Sequence, residues 1–166
     1  MSYVTETEGL SVRSLVTDRH KSVAAFTRDD LKVNNPRCAD LEHYNDVWHT
    51  AKGLGKKLKK LSKLAEVRMW QKSIINHVYS VAAIAPAENR KEYLRAMWLS
   101  LDNHINDEHE HESQLYPYCD HCHLLYDREK EWLVRGSPSC IMLSDLITAN
   151  AVVKHTGQVC LCGVLC

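Results

Sequence analysis

The chain has 166 residues, 45% of them hydrophobic and 25% charged, with a formal net charge of zero. That size and balance fit one globular domain with a single core, and a neutral total gives no reason of its own to expect a nucleic-acid partner. No apolar run reaches the ~18 residues of a membrane span, and Met1–Glu6 lacks a signal peptide's basic and apolar regions, so no membrane association and an intracellular, reducing location are expected. The seven cysteines are then thiols or metal ligands rather than a disulfide framework.

Taken in chain order, Val12–Thr17 is predicted as a short strand that ends at Asp18. Residues 19–30 can form a crossover helix, Asn34-Asn35-Pro36 makes a turn, and Leu41–Asp46 is a second strand, parallel to the first if the crossover has its usual hand. Two carboxylates delivered at the ends of neighbouring parallel strands are what a βαβ unit offers to a divalent metal. His49 follows Asp46 by three residues, close enough for a hydrogen bond at a helix start, and Asp is also a favoured cap there. Capping alone would account for either Asp.

Beyond Trp48 the period changes to helix. Leu54, Leu58, Leu61 and Ala65 recur at three- and four-residue spacing, with Lys52, Lys56, Lys57, Lys59, Lys60 and Lys63 among them and no acid. Lysines are the ordinary solvated face of such a helix; in a nucleic-acid protein the same row would contact phosphates. Five acids and no base in Asp102–Glu112 offset the six lysines, so zero net charge conceals two oppositely charged regions. Helices are expected over Val67–Ala85, over Ala87–Ile105 and, after Gly136-Ser137-Pro138, over Cys140–Ala149.

His104, His109, His111, Cys119, His121 and Cys122 crowd one short region. Imidazole and thiolate at close spacing suit a structural Zn²⁺, which takes four such ligands in a tetrahedron; the bland reading is a polar loop with incidental thiols. In one continuous helix, His104 and His111 would share a face yet stand about 10 Å apart. A shared ion therefore needs the helix to break near Asn106. Cys160, Cys162 and Cys166 form no prenylation box and have no nucleophile setting.

Val16-Thr17-Asp18-Arg19-His20, followed by His43-Tyr44-Asn45-Asp46-Val47-Trp48-His49 and Lys52-Gly53-Leu54-Gly55-Lys56-Lys57-Leu58, resembles the core of cut-and-paste DNA transposases with an RNase-H-like fold, Kolobok-like elements above all. The likeness continues through Trp70–His77, Trp98–His104 and Tyr116–His121 and fades after about Pro138. It implies an α+β, mostly helical chain. A partial RNase-H-like βαβ unit (1–50) would lead into a helical insertion with the Cys/His cluster (51–135) and a poorly specified tail (136–166). By the same resemblance, Asp18 corresponds to the second Asp of a catalytic triad and Asp46 with His49 to an Asp-x-x-His element, structural or supporting in role. Intact relatives would hold two Mg²⁺ or Mn²⁺ ions about 4 Å apart and cut DNA in the nucleus. The first Asp and the final Glu of that triad have no match here, so this chain alone is expected to be catalytically incomplete, keeping contact with the DNA backbone through the six lysines. Two other expectations stand beside it: a small zinc-stabilised nucleic-acid- or protein-binding module, and a non-functional remnant.

Overall fold

A computed structural model describes residues 11–18, 20–86, 88–119, 132–156 and 159–160. The fold is α+β and mostly helical. Strand β1 (Ser14–Thr17) runs parallel to β2 (Glu42–Asp46), with Ser14 opposite Glu42 and Thr17 opposite Asn45. Their connection is helical: α1 (Lys21–Phe26), a π-helical stretch (Thr27–Leu31) and the short α2 (Lys32–Asn34) follow without a break. A 3₁₀ turn (Pro36–Cys38) then brings the chain back, capped by the Asn35 side chain, which accepts from the Arg37 N–H at 3.1 Å. Leu31, Cys38 and Leu41 close a small apolar cluster against Val12 and Leu15. The βαβ unit expected from the sequence is thus formed, and the π stretch is an addition to it.

The larger core lies on the other side of β2. Helix α3 (Val47–Leu61) turns Val47, Ala51, Leu54 and Leu58 inward at four- and three-residue spacing, and α4 (Ala65–Ile84) answers with Val67, Trp70, Ile74, Val78 and Val81. Pro86 stops α4 by holding Ala85 in an extended conformation (ψ 124°). The Arg90 guanidinium then donates to the Ala82 and Ala85 carbonyls at the helix end, serving as a C-terminal cap. Helix α5 (Arg90–His104) buries Leu94, Met97, Trp98 and Leu101, and the Trp98 indole N–H donates to the Ile147 carbonyl at 2.8 Å. That bond ties α5 to α6 (Pro138–Thr148). Gly136 takes a left-handed φ of 78° ahead of the Ser137 cap, whose hydroxyl accepts from the Cys140 N–H at 3.2 Å.

Two features bear on how the chain is organised around this core. The division near residue 50 falls inside α3, and one apolar core runs from Val47 to Val159. The stretch after 136 supplies α6, α7 (Asn150–Thr156) and a strand β3 (Val159–Cys160) that pairs parallel to β2, Asn45 opposite Val159. The physical reason is burial: Cys140, Leu143, Ile147, Val152, Val153 and Val159 are all enclosed. The helix expected over Cys140–Ala149 is present as α6, whereas α7 and β3, enclosed at Val152, Val153 and Val159, carry little polar–apolar alternation for sequence reading to detect. The sheet order is therefore β1-β2-β3, with β2 central. No described helix is long and apolar enough to cross a membrane.

Candidate functional site

Parallel pairing of β1 with β2 brings the two strand-end carboxylates to one edge. Asp18 follows β1 directly and Asp46 closes β2, and His49 on the first turn of α3 faces both. Its Nδ1 lies 2.7 Å from Asp46 Oδ2 and its Nε2 lies 3.6 Å from Asp18 Oδ2. Asp46 does a second job, because its carboxylate also accepts from the backbone N–H groups of Trp48 (3.3 Å) and His49 (3.4 Å) and so caps α3. Capping and imidazole contact, raised as alternatives by the sequence, are both present in one residue. The group offers two carboxylates and one imidazole to a cation, short of the oxygen-rich set that Mg²⁺ or Mn²⁺ prefers.

Trp48 stands edge-on to His49, with centroids 4.7 Å apart, and the Lys52 ammonium lies 4.4 Å from the Trp48 ring centroid. From there Lys52, Lys56, Lys57, Lys59 and Lys60 follow along α3, with Lys63 just beyond it, all exposed. At 1.5 Å per residue the helical part of this row, Lys52 to Lys60, extends about 12 Å away from the strand-end carboxylates. Lys59 and Lys60 occupy the last turn of α3, where cations also favour the helix dipole.

The Cys/His residues meet at the far end of α5. The helix stops at His104, and Asp107 takes a left-handed φ of 64° that reverses the chain. The break needed near Asn106 is present. The returning segments meet in an antiparallel bridge: the Cys119 N–H donates to the His109 carbonyl at 3.0 Å and the His111 N–H to the Pro117 carbonyl at 2.8 Å. His109 and Cys119 are thereby fixed opposite each other, next to the end of α5.

Among the described residues, His104, His109 and Cys119 are the set whose ligand atoms all lie within 4.8 Å of one another. His104 Nδ1 is 3.7 Å from Cys119 Sγ. His111 Nε2 is nearer that sulfur, at 3.2 Å, and its ring stacks on Tyr116, with centroids 5.7 Å apart and planes 11° from parallel. Desolvation first, then the neighbouring His109, pushes the His111 pKa below its ordinary value and favours the neutral ring. His121 and Cys122, also expected as ligands, lie outside the described residues. Trp132 packs edge-on against both His104 (5.4 Å) and His109 (5.6 Å), and Trp70 flanks His104 at 6.0 Å. This aromatic wall packs against the half-buried imidazoles and limits their freedom to turn. Its two indoles are about 60 residues apart, and no local pattern announces them; nor does Asp107, whose Oδ1 meets His109 Nε2 at 3.1 Å.

No family model, no curated protein and no solved structure matches this chain.

Proposed function

We propose that the chain is a DNA-backbone-binding module of the RNase-H-fold transposase type, Kolobok-like in character, that does not cut DNA by itself. One observation carries the reading. Asp18 and Asp46, at the ends of two adjacent parallel strands, share His49, and the helix that carries His49 leads away as a row of exposed lysines. In this reading the lysines run along phosphates, and their helix starts where an intact relative would hold its ions. Two carboxylates do not complete a two-metal centre, which is why the chain binds without chemistry. Such contact is indifferent to base sequence, because ammonium groups on phosphates carry no base information.

The test is the salt dependence of binding to a short duplex, followed by fluorescence anisotropy. Each phosphate neutralised contributes about −0.9 to the slope of log K against log salt, so a triple Lys56→Gln, Lys57→Gln, Lys60→Gln variant should flatten the slope by about 2.7. An unchanged slope and affinity in that variant would remove the lysine row from the interface.

A second observation favours zinc as a structural element of the same module. Tetrahedral Zn²⁺ with Zn–S of about 2.3 Å and Zn–N of about 2.0–2.1 Å sets a ligand-to-ligand edge of about 3.6 Å. The separation of His104 Nδ1 and Cys119 Sγ is 3.7 Å, which fits that edge. At 3.2 Å, His111 Nε2 is too close to Sγ for a shared edge and close enough to donate a hydrogen bond to it. In this reading His104, His109 and Cys119 supply three of the four ligands that a structural zinc takes, and His111 orients the sulfur. The zinc would stitch the 109–119 hairpin to the end of α5. Protein purified without chelator should carry one zinc per chain; metal analysis finding none would sink this part.

A further inference from the structure

A cleft of about 350 Å³ lies between the crossover helix, β2, α5 and α7. Four cationic side chains line it from four separate elements: Arg28 from the π stretch, Lys32 from α2, Lys91 from α5 and Lys154 from α7. Glu42 is the carboxylate among its lining residues, and Lys91 already holds it in an ion pair. Arg28 turns to Asp29 with two hydrogen bonds of 2.6 Å. Lys32 and Lys154 have no ion pair among the described residues. The polar side chains His43 and Asn45 of β2 also line the cleft.

The helix on one wall is built in a way that keeps its cations aimed here. In a regular α-helix each fourth residue is displaced by about 40° around the axis, so Ala24, Arg28 and Lys32 would drift apart. The wider π turn over Thr27–Leu31 counters that drift, and all three line the cleft. The buried Thr27 hydroxyl donates to the Val23 carbonyl at 2.8 Å, serving a backbone group at this wider turn.

We propose that this cleft is a phosphate-binding site, taking a phosphomonoester dianion between Lys32 and Lys154. Two ammonium groups without an ion pair among the described residues match the dianion's charge, and the volume exceeds a bare phosphate, leaving room for the sugar or nucleoside that carries it. The same chemistry can come from a free small phosphomonoester or from the 5′-phosphate of a DNA end. The site does not depend on the lysine row of α3.

Calorimetry with inorganic phosphate and with 5′-AMP, at ionic strength matched with chloride, tests the free source. Anisotropy on a 5′-phosphorylated duplex against its 5′-hydroxyl counterpart tests the DNA end. A Lys32→Gln, Lys154→Gln variant should bind the phosphorylated probe at least about tenfold more weakly, since each charge-assisted contact carries about that factor. A Lys72→Gln variant, at an exposed lysine of α4 outside both the cleft and the α3 row, should bind it as the unaltered chain does. Saturable binding of 5′-AMP that the first variant loses supports a free phosphomonoester; a preference for the phosphorylated duplex that it loses supports a DNA end. No saturable binding of any probe, or equal binding by the two variants, overturns the proposal, and neither result bears on the salt slope set by α3.

Discussion

Replacing Asp46 separates the two jobs that its carboxylate performs. In Asp46→Ala both go. The cap is made of two long backbone contacts, 3.3 and 3.4 Å, and a lost cap of this kind costs about 1 kcal/mol. The imidazole contact is short, 2.7 Å, but both side chains are 36% exposed, so solvent screening holds it to about 0.5 kcal/mol. Together they come to about 1.5 kcal/mol, or a fall in Tm of about 3–6 °C for a chain of this length. Asp46→Asn keeps an oxygen for the cap, at which Asn equals Asp, and gives up only the charge facing His49; the expected fall is about 1–2 °C. Both values come from thermal unfolding followed by circular dichroism at neutral pH. If Asn proves as costly as Ala, the cap is not what Asp46 contributes. If Ala costs nothing, neither contact stabilises the fold.

Three further outcomes follow from the geometry. Trp98→Phe removes the bond to the Ile147 carbonyl inside a fully buried contact and should cost about 2–3 kcal/mol in urea unfolding; under about 1 kcal/mol would mean that α5 and α6 are held mainly by apolar packing. Cys119→Ser should abolish zinc retention and raise hydrogen exchange across 109–119 while far-UV dichroism persists, because the main core draws on α3 to α7. Zinc retained by that variant would exclude Cys119 as a ligand. Desolvation, aided by Lys91, lowers the His43 pKa from 6.5, so the unfolded chain takes up the proton first as pH falls. Stability should therefore be full above about pH 6.5, decline as pH drops through that value and level off below the folded-state pKa. His43→Gln should remove this component, and an unchanged acid limb in urea titrations would assign it to other groups.

How much of this was legible in the sequence depends on whether a feature is local. Helix α3 was readable because its apolar positions repeat along one face and because Asp46, with its side chain three residues from His49, marks the start. The strand-end carboxylates were readable for the same reason, although only the parallel register shows them sharing one imidazole. The helix break after His104 could be required by distance, but the hairpin that answers it could not be drawn, because it depends on pairing between 109–111 and 117–119 across the intervening loop. The π stretch left no trace, since Thr27–Leu31 contains neither glycine nor proline. Least visible was the convergence of Lys32 and Lys154, which are more than a hundred residues apart and unremarkable in their own neighbourhoods.

The position of β3 also governs the order in which the molecule can be completed. Asn45 and its partner Val159 are about 110 residues apart, so at ribosomal rates of about 5–20 residues per second roughly 6–22 s pass between their synthesis. Throughout that interval the central strand is an edge strand. It waits with a charged residue, Asp46, at its exposed end and a helix already capped on it, both of which discourage pairing with another chain. The carboxylate at the end of β2 thus acts before the fold exists as well as within it, keeping one side of the sheet vacant for the strand that arrives last.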